Sequence, residues 1–200
     1  MAGEIVRYKA SDGVDVELTP EKVIGLIATG GQQPDPRDVV VFMAKCQARG
    51  LNPLAGDCYM TTYKSKQTGR VTTSVVVSKD YYMRTAYMQP TYKGFKAGVI
   101  VANNGQMYYR DGAFVIKGEQ ILGGWAEVYD DRLSQPVREE VSFEEYDTRM
   151  SLWADKPATM IRKVALVQAL REAYPQAYGG IYDQSEMPQE IQVEAIENKE

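Results

Sequence analysis

Short β-prone runs open the chain. Ile5 to Lys9 and Val14 to Leu18 flank Ser11-Asp12-Gly13, a pattern that predicts a small hairpin. Thr19-Pro20 then supplies an N-cap and a first-turn proline, so a short helix is expected up to Gly30-Gly31. Asp35-Pro36 repeats the start signal. The segment to Arg49 is apolar on one face (Val39, Val40, Met43, Cys46) and Gly50 should end it. From Asp57 the period changes to two: Asp57 to Tyr63 and Arg70 to Val77 read as strands joined by Lys64 to Gly69. Ser78 can cap a helix from Lys79 to about Met88. Gly98 to Ala102, Met107 to Arg110, Ala113 to Ile116, Ile121 to Tyr129 and Val137 to Ser142 follow as short strands, the first pair joined by Asn103-Asn104-Gly105, and read as an antiparallel meander.

The last strong element starts near Asp155, with Pro157 in its first turn, and runs to about Tyr174, where Pro175 should stop it. Its apolar residues point almost all round, which marks a helix packed into the centre of a domain. At about 100° per residue, Lys156, Lys163 and Arg171 nonetheless fall within one sector of about 80°. A buried helix with one basic edge wants an anionic partner, from this chain or from a ligand phosphate. The fold class is α+β: N-terminal helices, a β-hairpin and an antiparallel meander packed on a long central C-terminal helix.

Composition narrows the chemistry. The 200 residues are 44% hydrophobic and 25% charged, with no apolar run near the ~18 residues of a membrane helix, so a soluble protein without a membrane partner is expected. There is no histidine, which excludes Ser-His-Asp triads, Cys-His pairs and H-E-x-x-H zinc sites. Cys46 and Cys58 are too few for a disulfide scaffold and lack partners for a zinc site; with no charged-then-apolar leader ahead of them, they read as inert fillers in a reducing cytoplasm. No G-x-x-x-x-G-K-[ST] or G-x-G-x-x-G motif is present, so no nucleotide or other cofactor is expected.

The formal net charge of −4 argues against nucleic acid until the charges are sorted by position. Residues 45 to 110 hold ten Lys/Arg against Asp57 and Asp80, a balance of +8; residues 172 to 200 hold seven Asp/Glu against Lys199, a balance of −6. Eight of the 14 tyrosines lie in the basic window. Cations interleaved with flat aromatics suit a strand of phosphates and bases, although tyrosine-rich β-hairpins without a ligand have the same look. A competing reading uses Asp130, Asp131, Glu139, Glu140, Glu144, Glu145 and Asp147 as the carboxylate cluster of a metal-dependent nuclease.

Several motifs resemble the phage RecT/Redβ single-strand annealing proteins, most nearly the Redβ branch, over residues 37 to 187. They are Gly50-Leu51-Asn52-Pro53, the Tyr59 hairpin with Lys66-Gln67-Thr68-Gly69 at its tip, and Val75-Val76-Val77 leading to Asp80-Tyr81-Tyr82-Met83-Arg84. Later come Trp153, Pro157, Met160 to Lys163, Gln168, Arg171, Ala173-Tyr174, and Gly180 to Asp183 with Glu186. The resemblance implies a bacterial-host cytoplasmic recombinase that works without ATP and is not an enzyme. Such a protein coats single-stranded DNA, accepts a complementary strand and holds the annealed duplex in homo-oligomeric rings or helical filaments. A phage exonuclease and a host single-strand-binding protein are the further partners implied.

Carried over by position, Lys64 or Lys66 at the hairpin tip, Lys79 and Arg84, and Arg162, Lys163 and Arg171 would line the DNA groove; Arg70 beside the tip and Lys156 on the basic helix edge join them as candidate DNA contacts. Tyr81, Tyr82 and Trp153 are candidate base or protomer contacts, with core packing as the bland alternative. A passive single-strand-coating protein is the nearest competitor. Residues 1–183 read as one annealing domain, with 1–34 an extension and 35–183 the family-like core, followed by an acidic tail at 184–200.

Overall fold

A computed structural model describes residues 5–29, 33–64, 71–149 and 152–178, the side chains of 63, 64, 72 and 74 excepted. The expected tail, and the Gly180 to Glu186 motif, lie outside the described residues. The fold is α+β, and the chain divides into two compact units, one ending at Ser78 and the next beginning at Lys79.

In the first unit, β1 (Val6–Lys9) and β2 (Asp15–Leu18) form the expected hairpin, Val6 opposite Leu18. It is fastened to its own chain: the Tyr8 hydroxyl donates to Leu51 O at 2.5 Å and Ser11 N donates to Gly50 O at 2.7 Å. The first helix, α1 (Pro20–Lys22), begins as expected, the Thr19 side chain accepting from Lys22 N. It does not run on to the glycines. The helix widens into a π turn at Val23–Ile27 and yields to β3 (Ala28–Thr29), while Gly30 and Gly31 lie outside the described residues. The cause is tertiary: β3 pairs parallel with Met60 and Thr61, the Thr29 hydroxyl bonds Met60 O at 3.3 Å, and the Thr62 hydroxyl donates to Thr29 O at 3.0 Å. Those bonds replace the ones another helical turn would make.

Helix α2 (Pro36–Arg49) has the boundaries its capping residues announce. The Asp35 carboxylate accepts from Arg37 N at 2.8 Å, and Gly50 adopts φ 60° with its N–H turned back to the Cys46 carbonyl. A Cβ at residue 50 would also stand 2.6 Å from Ser11 Oγ and 3.1 Å from Ser11 N, so both the backbone angle and the space favour glycine at this C-cap. Val40, expected on the apolar face, is exposed, and Phe42 is buried beside Val39, Met43 and Cys46 instead. Beyond the cap, Asn52 N donates to Asp57 Oδ2 at 2.8 Å while Asn52 Oδ1 accepts from Ala55 N at 3.1 Å. The Gly-Leu-Asn-Pro motif thus serves as a helix stop and turn clamp. Strands β4 (Cys58–Lys64) and β5 (Val71–Val77) pair antiparallel from Cys58↔Val77 to Lys64↔Val71. Cys46 Sγ and Cys58 Sγ lie 3.7 Å apart, both buried and both free; the contact with Cys46 and burial push the Cys58 thiol pKa up.

The second unit opens with α3 (Lys79–Met88), followed by β6 (Tyr92–Asn103), β7 (Gln106–Asp111), β8 (Gln120–Asp130) and β9 (Val137–Ser142). Every pair is antiparallel, but the order β7-β6-β8-β9 is not the simple meander expected. Strand β8 pairs with β6 rather than β7, so the chain must return from the sheet edge past β6. The residues expected as a strand, Ala113 to Ile116, form that return and not a strand: Ile116 N donates to Glu119 Oε2 at 2.9 Å, Arg110 pairs with Glu119, and Phe114 is left 70% exposed.

Short helices α4 (Phe143–Tyr146) and α5 (Leu152–Asp155) lead to α6 (Pro157–Ala173), and α7 (Pro175–Tyr178) follows. Pro175 therefore begins a turn of helix as well as ending one. Helix α6 packs on β8 and β9 and also meets β6, α3, α5 and α7. Eight of its residues are buried, from Ile161 to Ala173. The approach to β8 is backbone to backbone at Gly124, where a Cβ would stand 2.4 Å from the Ile161 carbonyl oxygen.

Candidate nucleic-acid interface

The hairpin-tip cations divide sharply from the rest. Lys66 and Arg70 lie outside the described residues, and of Lys64 only the backbone, as the last residue of β4, is described. The other six expected contacts belong to the second unit, on two helices that pack against each other, α3 and α6.

On α3, burial selects one side. Tyr81, Tyr82 and Ala86 are buried, whereas Lys79, Asp80, Arg84, Tyr87 and Met88 are exposed. At about 100° per residue the exposed set spans half the helix circumference, with Tyr87 between Lys79 and Arg84. Lys79 makes no ion pair among the described residues.

On α6 the cations are held differently. Lys156, in the N-cap position, is exposed and its side chain makes no capping bond. Its charge stands at the positive end of a 17-residue helix, where an anion is the favourable neighbour. Lys163 and Arg171 are half-buried, and the Arg171 charge acts on Glu139 of β9. Burial raises the Glu139 pKa first and nearby Glu172 adds to it, with Arg171 opposing both.

Arg162 is also half-buried, but on another side of the helix, facing β6. Its Nε donates to Ala97 O at 3.1 Å and its guanidinium lies 5.9 Å from the Phe95 ring centroid. No carboxylate pairs with it among the described residues, and burial pushes its pKa down. A desolvated guanidinium with only a carbonyl and a ring for company retains unused donors. The resemblance groups Arg162 with Lys163 and Arg171, whereas helical spacing separates it from their sector.

The three aromatics expected as base or protomer contacts are all buried. Tyr82, with no exposed surface, stacks on Tyr178 at 5.0 Å and 29°. Tyr81 meets both rings edge-on, and Tyr178 Oη donates to Tyr82 O at 2.6 Å. Trp153 tilts against Phe143 at 6.0 Å. These rings tie α3 to α7 and α5 to α4, and the packing reading describes where they sit. Sequence reasoning missed Tyr178, the lock on α3, and Tyr87, the exposed ring of the same helix. The wheel that grouped the α6 cations would have found Tyr87 between Lys79 and Arg84.

The carboxylates of the competing reading are dispersed into local contacts. Asp130 accepts from Arg132 and Thr91, the Arg132 bonds holding its carboxyl well below the usual carboxylate range. Asp131 pairs with Lys93, Glu140 with Arg138, and Asp147 accepts from Arg149 N. Among the described residues, no three Asp, Glu, Cys or His side chains gather closely enough to hold a metal ion. No helix among them is long and apolar enough to cross a membrane.

The sequence model of the RecT family matches residues 26–199. No individual curated protein matches the chain. The matched span takes in α2, the β4–β5 hairpin and the whole second unit, and leaves out β1, β2 and α1.

Proposed function

Because the chain belongs to the RecT family, we propose that it binds single-stranded DNA and anneals complementary strands without ATP. In this reading it holds the nascent duplex in a ring or helical filament of its own copies during phage-type recombination. The observation that carries the reading is Arg162, a half-buried guanidinium lacking a carboxylate partner among the described residues, on a helix whose other cations are Lys156, Lys163 and Arg171. A phosphate oxygen would use the donors that Ala97 O leaves over.

No bond need be made or broken. Two strands repel through their phosphates, and cations on α3 and α6 lower that repulsion while leaving base edges free to test each other. Stacking and pairing then supply the driving force, so neither proton transfer nor nucleotide hydrolysis is required. Lys64, Lys66 and Arg70 belong to the same proposal as further phosphate contacts. A phage exonuclease to generate the strand and a host single-strand-binding protein to yield it are the partners this role calls for.

Complementary oligonucleotides carrying a fluorophore and a quencher test the proposal directly. With ATP and divalent metal omitted, the protein should accelerate quenching over buffer. Binding without acceleration would leave a passive coating protein, and strand cleavage on adding Mg²⁺ or Mn²⁺ would favour the nuclease; either result overturns the annealing reading.

A further inference from the structure

We propose that Tyr87 is a base-stacking residue: an unstacked nucleobase of single-stranded DNA rests on its ring while the flanking phosphates meet Lys79 and Arg84. This inference deepens the annealing reading and rests on it. The exposed tyrosines of the second unit differ in what they touch. Tyr109 donates to Glu140 at 3.0 Å, sits 6.3 Å from Trp125 and has the Arg138 guanidinium over its ring. Tyr108 donates to Gln106 and has Arg110 over its ring. Each of these two rings therefore has an arginine of the chain itself over it.

Tyr87 is 69% exposed and, among the described residues, has a single ring contact and no hydrogen bond. That contact is with Tyr92, edge to face at 5.3 Å and 80°. Tyr92 in turn lies 6.4 Å from Tyr174 and is uncharged at neutral pH, burial and then the neighbouring Tyr87 pushing its pKa up to about 12. A ring already in contact with Tyr92, with most of its surface still in water, loses little freedom when a base stacks on it. Its neighbours on the exposed arc, Lys79 and Arg84, carry the charge a phosphate seeks, with Asp80 the one acid. Stacking ignores base identity, which suits a protein that must accept any sequence.

The test compares binding of the full-length protein to oligo-dT and to the same backbone carrying abasic sites. Tyr87→Ala should weaken oligo-dT binding by about tenfold and leave abasic binding unchanged, while Tyr87→Trp should hold or improve oligo-dT binding. Equal losses on both strands, or no loss on either, would overturn the stacking role. A wild-type protein that binds and anneals alongside an unaffected Tyr87→Ala sinks this inference alone; a wild type that binds neither strand sinks the annealing reading and this one with it.

Discussion

Helices α3 and α6 carry the described cations in opposite ways. On α3 a buried side faces the protein and an exposed side gathers Lys79 and Arg84, so these charges stay in contact with water. On α6 apolar residues surround most of the helix, and Arg162, Lys163 and Arg171 are each partly withdrawn from water. The exposed charges can attract a strand from a distance but fix it weakly, because salt and water compete with them. The half-buried ones, three against two, sit on a helix packed against the sheet. In the annealing reading, α3 gathers the strand and α6 sets its position.

That comparison breaks most violently if α6 is moved. Gly124→Ala puts a Cβ against the Ile161 carbonyl, which cannot step aside without displacing the helix. Overpacking of this kind costs about 1–3 kcal/mol, and chemical denaturation should show that loss. An unchanged midpoint would mean that the helix does not bear on β8 as closely as described.

A smaller effect sharpens the contrast. Arg162→Met keeps an apolar stem beside Phe95 and removes the charge, and Ala97 O keeps its bond from Gly112 N at 2.9 Å. Since the charge is desolvated and unpaired by a carboxylate, folding stability should hold or rise, while affinity for single-stranded DNA falls about tenfold. Calorimetry and a binding titration on one sample decide between this and a structural arginine, for which stability would fall and affinity would not.

How much of this was legible in the sequence varied with the reach of the forces involved. The limits of α2 could be read because local groups, Asp35 and Gly50, set them, and α3 runs over the Lys79 to Met88 expected of it. The end of the first helix could not be, because β3 exists only through Met60 and Thr61, about thirty residues away. Ala113 to Ile116 has the composition of a strand, yet it leaves the outer edge of β7 unpaired and carries the chain back past β6 to β8, a course set by long-range pairing and not by local pattern. The same distinction holds at the site. Charge segregation found the cations, and helical spacing implied which share a face. That Tyr82 is buried while Tyr87 is exposed depends on α7 folding back to stack Tyr178 on Tyr82, a contact across 96 positions that no local pattern announces.

The central claim is that the cations of α3 and α6 meet phosphate, and the salt dependence of single-stranded DNA binding measures it most directly. Each phosphate contact contributes about 0.7 to the slope of log affinity against log salt concentration. Replacing Lys79 and Arg84 together by Gln, or Lys163 and Arg171 together by Gln, should each flatten that slope by about 1.4, with the greater loss of affinity at fixed salt in the α6 pair. Slopes equal to that of the wild type in both double variants would place the DNA elsewhere on the protein.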